Sequence, residues 1–331
     1  MTLRICTIGC GGIATGRHGP SYALYAAEHA ETDLVACCDL IEEKARAFAE
    51  RFGFQGCYTD LVGMLEAERP DAVCLVSPVD LTCELGCRIL SMGYPLLMEK
   101  PPGKTTEENE RLIAAADASG APSQVAFNRR HAPLLRAMKE QVAQIPDEAP
   151  VQHIAYEVTR VNRRDPDFST TAIHGIDAVR TIAGADYAGV RFRYHEMPDV
   201  GPGVCNIFMD CVMDSRATAH LAFCPVAGSV VERATVHAQD HTWYLHLPTT
   251  GLDGTGLLRH VQKGRIAKER TGPDVSGTEE EFVLEGFYGE NAAFFDDIRA
   301  GRRPVDDLRS TRQSVEVAQC IRERRAEYSA S

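Results

Sequence analysis

Leu3-Arg4-Ile5-Cys6-Thr7-Ile8 is a short apolar run that stops on a glycine, and the residues that follow read Gly9-Cys10-Gly11-Gly12-Ile13-Ala14 before a helical stretch toward His29. The spacing is G-x-G-x-x-A, set between a strand and a helix. Each small residue meets a separate demand: Gly9 permits the tight turn, Gly11 lets the backbone approach a pyrophosphate, and Ala14 lets the helix lie close to the strand. A glycine-rich turn alone is a weak signal, because many such turns hold nothing. The next element strengthens it. Asp33 to Asp39 is a second apolar strand ending on a carboxylate, 25 residues after Ala14. Asp39 can accept both ribose hydroxyls of an adenosine and would repel a 2′-phosphate. Taken alone, Asp39 also reads as a cap for a helix over Ile41 to Phe52. Strand, glycine turn, helix, strand and acid in this order point to dinucleotide binding, and no arginine follows Asp39, which favours NAD over NADP.

The alternation continues. Asp71 to Ser77 reads as a strand that leaves Ser77-Pro78 at its carboxyl end, and Leu81 to Met92 as an amphipathic helix closed by Gly93. Leu96 to Met98 then runs into Glu99-Lys100-Pro101-Pro102, where two prolines end any ladder. Thr105 to Ser119 is a helix capped by Thr105 or Thr106 and ended by Gly120, and Gln124 to Phe127 is a further strand, with Asn128-Arg129-Arg130 at its end. Strands alternating with helices in this way make a doubly wound, parallel Rossmann sheet. Ligands of such sheets bind at the carboxyl edge, which here carries Gly9, Asp39, Ser77, Lys100 and Asn128. A lysine there can donate to a reacting oxygen; the plainer reading of Glu99 and Lys100 is a surface ion pair.

Composition bounds the rest. At 331 residues the chain exceeds the size at which single cores usually divide, so two domains are expected, residues 1–127 and 128–331. A net charge of −12 makes nucleic acid and anionic membrane surfaces poor partners. Twelve cysteines lie singly in apolar segments, apart from Cys37-Cys38 and the pair Cys83 and Cys87; none has zinc-site spacing, so neither metal nor disulfides are expected, and a reduced, cytoplasmic setting is. Structure begins within three residues of the amino terminus and no apolar run is long enough to span a membrane, so no signal peptide and no membrane span are expected.

The second half changes character. Val151–Val161, Val190–Tyr194, Val204–Val212, Ala217–Phe223, Val230–Ala238 and Thr242–Leu247 read as successive strands, with a helix over Ala172–Ala183. Strand runs with few helices imply an α+β domain with an open, mostly antiparallel sheet. A helix over Tyr288–Ile298 and a last one over Leu308–Tyr328, packing back on the first domain, finish the chain. An open sheet has a second face to hide, and Leu221, Phe223, Val236 and Tyr244 placed there would favour a homo-oligomer, a dimer or tetramer.

On Gly9 to Ala14, Asp39, Ser77-Pro78, Met98-Glu99-Lys100-Pro101, Phe127-Asn128-Arg129-Arg130 and Ile173-His174-Gly175-Ile176-Asp177, the chain resembles the glucose-fructose oxidoreductase/inositol dehydrogenase/rhizopine-catabolism (Gfo/Idh/MocA) dehydrogenases. Gly286-Phe287 through Asn291, Phe295 and Gly301-Arg302-Arg303-Pro304 are similar too. The resemblance implies an NAD-binding site over Gly9, Gly11, Gly12, Ile13, Asp39, Ser77, Pro78, Glu99, Lys100 and Asn128. It makes Lys100 the group that polarises the reacting oxygen and His174 the catalytic histidine, and gives the second domain's sheet a part in subunit pairing.

Alcohol oxidation needs a base within reach of the hydroxyl proton, and His174 is the candidate. Family members acting on sugars and inositols often carry an aspartate one turn earlier; this chain has Thr170, which brings no charge. Asp177, three residues on, can orient the imidazole or serve as a plain helix contact. Substrate hints are thin: Arg129, Arg160, Asn162, Arg163, Thr170 and Asp177 are the substrate candidates, Asn128, Arg160 and Asn162 can supply hydrogen bonds to a polyol, and Arg160, Arg163 and Arg164 suit a carboxylate or phosphate, although a charge run is usually a solvated face. Two functions follow from the sequence. The first is an NAD(H)-dependent oxidoreductase for a CH–OH or C=O group of a small sugar, polyol or related cyclic compound, with the cofactor exchanged or retained. The second is a cofactor-binding regulatory protein on the same scaffold, which Thr170 keeps in view.

Overall fold

In a computed structural model, which describes residues 2–145, 150–248 and 254–330, the chain forms two compact units. The first comprises residues up to Asn128 together with Phe287–Val315, and the second Arg129–Gly286 with Glu316–Ser331.

The first unit holds strands β1 (Leu3–Ile8), β2 (Thr32–Cys38), β3 (Gly56–Tyr58), β4 (Ala72–Leu75), β5 (Leu96–Glu99) and β6 (Ser123–Ala126). Helices α1 (Gly19–Glu28), α2 (Glu42–Phe52), α3 (Leu61–Glu68), α4 (Val79–Ser91) and α5 (Thr106–Ser119) connect them. All six strands are parallel, in the order β3-β2-β1-β4-β5-β6. β3 is a three-residue edge strand that the sequence pattern does not locate, because Gly-Cys-Tyr is too short to show a period. Thr105, not Thr106, caps α5, accepting the Glu108 N–H. The core is aromatic around Tyr22, Tyr25, Phe48, Phe52 and Phe54, and a returning helix completes it, with Phe294 and Phe295 fully buried beside the two tyrosines. The Phe295 ring lies 5.0 Å from that of Tyr25, whose hydroxyl donates to Asp296 at 2.8 Å.

The second unit opens with α6 (Pro133–Val142), β7 (Val151–Thr159) and α7 (Ser169–Ala183). Strands β8 (Tyr187–Glu196), β9 (Cys205–Met213), β10 (Thr218–Cys224), β11 (Val231–Ala238), β12 (His241–His246), β13 (Leu257–Gln262) and β14 (Arg265–Thr271) follow. Short helices α8 (Gly272–Ser276) and α9 (Glu281–Leu284) precede α10 (Phe287–Arg299), the returning helix of the first unit; α11 (Arg312–Arg322) and β15 (Glu327–Ser329) end the chain. The sheet order is β14-β13-β12-β11-β7-β10-β9-β8-β15, antiparallel except for β7 with β10. The expected last helix over Leu308–Tyr328 is therefore shorter, and its tail is instead a strand that pairs with β8.

Strict alternation sorts this sheet's side chains. Ile154, Tyr156 and Val158, Leu221 and Phe223, Ala234 and Val236, and Trp243 all point inward and are buried. This corrects the expectation for the open face: Leu221, Phe223 and Val236 lie on the covered side, and of the four residues only Tyr244, 42% exposed, is outward. Trp243 donates its ring N–H to Gln141 of α6 at 3.1 Å, and a Cβ on Gly175 of α7 would meet Phe223 at 2.8 Å and Tyr156 at 3.1 Å. Gly175 thus lets α7 lie directly on the sheet.

Candidate active site

Five of the parallel strands deliver side chains to one edge. Gly9 leaves β1 at φ +95°, its N–H bonds to Cys38 O at 2.8 Å, and a Cβ there would fall 2.0 Å from the Val76 carbonyl oxygen, so only glycine fits. Gly11 and Gly12 are different: a Cβ on either meets nothing within 4 Å. Open space beside this turn is what a pyrophosphate requires, and a π-helical turn, Ala14–His18, leads from it into α1 with no acidic residue in either first turn. Ile13 is half exposed beside the turn. Asp39, just past β2, uses both oxygens: Oδ2 accepts the Cys10 N–H and Oδ1 the Ile41 N–H, each at 2.9 Å. Asp39 thereby ties the glycine turn to the chain entering α2; it is not the helix cap expected from the sequence, because the N-cap of α2 is Ile41 and no side chain caps it. The adjacent Leu40 and Ile41 are 85% and 48% exposed. These residues fit a dinucleotide.

Beyond β4, the Ser77 hydroxyl lies 3.0 Å from that of Thr82, and Pro78 stands at the N-cap of α4. Glu99 is the last residue of β5 and Lys100 follows it, with a cis peptide to Pro101. Glu99 is not an outward surface acid: Oε1 meets His18 Nε2 at 2.9 Å and Oε2 accepts the Lys100 N–H at 3.0 Å. Burial pushes this carboxyl up, but the hydrogen bond and charge of His18, with Lys100, hold it below its ordinary value. Asn128, buried, begins a short 3-10 turn after β6. The register Ile8↔Cys38, Ile8↔Leu75, Leu75↔Met98 and Glu99↔Ala126 aligns these strand ends, so all ten nucleotide-site candidates share the carboxyl edge of one sheet.

In the second unit, His174 is half-buried in the second turn of α7, next to the close contact at Gly175. Thr170, one turn earlier, donates its hydroxyl to the Asp167 carbonyl at 3.4 Å. Asp177 is buried and held by Arg130 through two bonds, Nε to Oδ2 at 2.8 Å and Nη2 to Oδ1 at 2.6 Å. Arg129 makes the same fork to Glu232, Nε to Oε1 at 3.0 Å and Nη2 to Oε2 at 2.7 Å. Glu232 also accepts from Tyr156 Oη at 2.8 Å and Arg160 Nη2 at 3.0 Å. Burial would raise the Glu232 carboxyl, but the charges of Arg129 and Arg160 and the bonds from Arg129 and Tyr156 hold it far below its usual range. Arg163 pairs with Asp165 at 2.7 Å, and Asn162 Oδ1 accepts from Arg164 at 2.8 Å. The arginines offered for an anion are thus engaged with acids of their own unit.

Sequence reasoning passed over His18 in the first unit and Glu232 in the second, and gave Asn291 no role beyond its place in the resemblance. For Glu232 a signal exists, because it shares strand parity with Ala234 and Val236, and a carboxylate at an inward position demands a cationic partner. His18 carries no such signal. Among the described residues, no group of three or more His, Cys, Asp or Glu side chains is placed to hold a metal, and all twelve cysteines are free of disulfides.

Residues 3–127 match the model of an oxidoreductase family with an NAD-binding Rossmann fold, Gfo/Idh/MocA. That match spans the six strands of the parallel sheet and stops before the second unit begins. Among curated relatives, a D-glucoside 3-dehydrogenase of Escherichia coli is 32% identical over 42% of this chain and 39% of its own length. An inositol 2-dehydrogenase of Ralstonia nicotianae is 29% identical over 59% of this chain and 58% of its own. The chain therefore aligns with about two fifths to three fifths of these proteins. A solved structure, an aldose-aldose oxidoreductase from Caulobacter crescentus complexed with glycerol, shares the fold over the whole of both chains, with a TM-score of 0.81 at 18% identity. No helix of the described residues is long and apolar enough to cross a membrane.

Proposed function

We propose that this protein is an NAD(H)-dependent oxidoreductase acting on a CH–OH or C=O group of a sugar, polyol or related cyclic compound. One observation carries the reading: the open glycine turn, the Asp39 carboxylate and Lys100 stand on a single sheet edge, fixed by strand register. Bound nicotinamide would supply the hydride acceptor or donor. Asp39 would take the adenosine ribose, and the exposed aliphatic side chains of Leu40 and Ile41 give a 2′-phosphate no counter-charge, which favours NAD. Lys100 would donate to the reacting oxygen and lower the cost of charge there. His174 would hold the hydroxyl proton as it leaves or returns. The names of the relatives, a glucoside and an inositol dehydrogenase, support a polyhydroxylated substrate. The outward face of the nine-stranded sheet, with Val212 and Tyr244 half exposed, supports self-association.

The test is purified protein with NAD against cyclic polyols, aldoses, uronic acids and glycosides, following the absorbance of reduced nicotinamide with Lys100→Met as the blank. Turnover lost in the blank is expected. Cofactor that binds and exchanges without turnover of any substrate would favour the regulatory reading over the enzyme.

A further inference from the structure

His18 is almost wholly buried, at 1% side-chain exposure, although it belongs to the turn that leaves the glycine loop. Both of its ring nitrogens are committed. Asn291, on α10, donates one amide hydrogen to the Phe287 carbonyl at 2.6 Å, and the same nitrogen lies 3.2 Å from His18 Nδ1. Asn291 Oδ1 lies 3.4 Å from the same ring nitrogen, and because a carboxylate only accepts, Nε2 is the nitrogen that donates, to Glu99 Oε1 at 2.9 Å. The imidazole is pinned from the sides by Phe287, edge-on at 5.3 Å, and Tyr22 at 5.9 Å. The second Glu99 oxygen turns back to the N–H of the next residue, Lys100. The sequence Asn291, His18, Glu99, Lys100 is therefore a continuous hydrogen-bonded chain from α10 through the end of the glycine turn to the end of β5.

We infer that His18 is a positioning residue for Lys100: with its ring held by Asn291, it clamps the Glu99 carboxylate, and Glu99 fixes the peptide from which the lysine side chain departs. A carboxylate at a strand end has several rotamers, and it can hold the following N–H in one direction only while its other oxygen is tied down. The clamp stands on the geometry alone; its consequence for chemistry rests on the reading of Lys100 given above.

Amide hydrogen exchange at Lys100 tests the clamp without turnover. In His18→Asn the amide nitrogen falls near the Nδ1 position and cannot reach Glu99, whereas His18→Gln extends a donor toward the Nε2 position. Exchange at Lys100 is expected to rise about tenfold or more in His18→Asn, with the β1 amides unchanged, and to return toward wild type in His18→Gln. With an active substrate, kcat is expected to fall about 10- to 100-fold in His18→Asn while the NADH dissociation constant stays within about threefold, and to recover in His18→Gln. Should His18→Asn not fold, Glu99→Gln gives the same exchange readout, since an amide offers one acceptor oxygen where the carboxylate offers two. Unchanged Lys100 exchange in the folded variant, or equal loss with Asn and Gln, overturns the clamp. Faster exchange with kcat intact, in a protein where Lys100→Met is dead, overturns the positioning role and leaves the enzyme reading standing. If the wild type itself turns nothing over, the enzyme reading falls and the exchange result still decides the clamp.

Discussion

Asp39 accepts the Cys10 backbone N–H through Oδ2 at 2.9 Å, so the acid that ends β2 and the turn that follows β1 are joined by a charge-assisted bond. The same carboxylate is the proposed ribose partner, and its removal has two effects of one sign. Asp39→Ala is expected to weaken NAD by about 10- to 100-fold, the equivalent of one lost hydrogen bond to a charged group. NADP, which the carboxylate would repel, should be affected less, so the NAD/NADP preference falls. Titration of both cofactors by fluorescence checks this, and an unchanged ratio refutes the ribose assignment.

Gly9 and Gly11 sit two residues apart and should fail differently. A Cβ at residue 9 meets a backbone oxygen at 2.0 Å in a left-handed conformation, whereas at residue 11 it meets nothing within 4 Å. Gly9→Ala is expected to cost about 1–3 kcal/mol of stability or more through backbone strain, and to bind cofactor poorly as a result. Gly11→Ala should unfold as the wild type does yet lose NAD affinity, because its methyl occupies space the pyrophosphate needs. Thermal denaturation alongside cofactor binding separates the two outcomes.

The first unit was legible because its demands are local: a glycine turn, an acid at a strand end and a lysine before two prolines each announce themselves within a few residues. The clamp was not, since His18 and Asn291 are 273 residues apart and each looks like an ordinary helix residue until the chain returns. In the second unit, the pattern located six strands, β7 to β12, but missed β13, β14 and the terminal β15. The β14 run Arg-Ile-Ala-Lys-Glu-Arg-Thr is exposed on both sides almost throughout, so it lacks the alternation that marks a half-buried strand. The side on which Leu221 and Phe223 lie follows from parity, but which parity faces inward is decided by α7, whose Gly175 rests on Phe223.

Lys100 and His174 are separable by substitution. Lys100→Met keeps the length of the side chain and removes the donor, so turnover should fall by at least about a thousandfold while NAD affinity stays within a few-fold. His174→Ala removes a proton acceptor, and the acidic limb of the pH–rate profile for alcohol oxidation should flatten. Retention of that limb in His174→Ala would place the base on another residue.

Glu232 is the buried centre of the second unit's polar network, and its loss leaves two largely buried guanidinium groups without their counter-charge. Arg129 and Arg160 are 17% and 15% exposed, so some solvent reaches them, and the cost of Glu232→Gln is expected near the low end of the range for breaking a buried pair, about 3 kcal/mol at neutral pH. The pH dependence has a fixed sign. The folded carboxyl is depressed below its ordinary value, so its stabilisation is complete above the unfolded carboxyl pKa of about 4.3 and is lost as the pH falls from there toward the folded value. The gap between wild type and Glu232→Gln should therefore be constant from about pH 6 to 8 and narrow in acid. Trp243, the single tryptophan, is buried in this unit, so its fluorescence during urea unfolding reads the relevant transition. A gap that stays unchanged down to pH 3 would mean that the charge of Glu232 contributes nothing to the network.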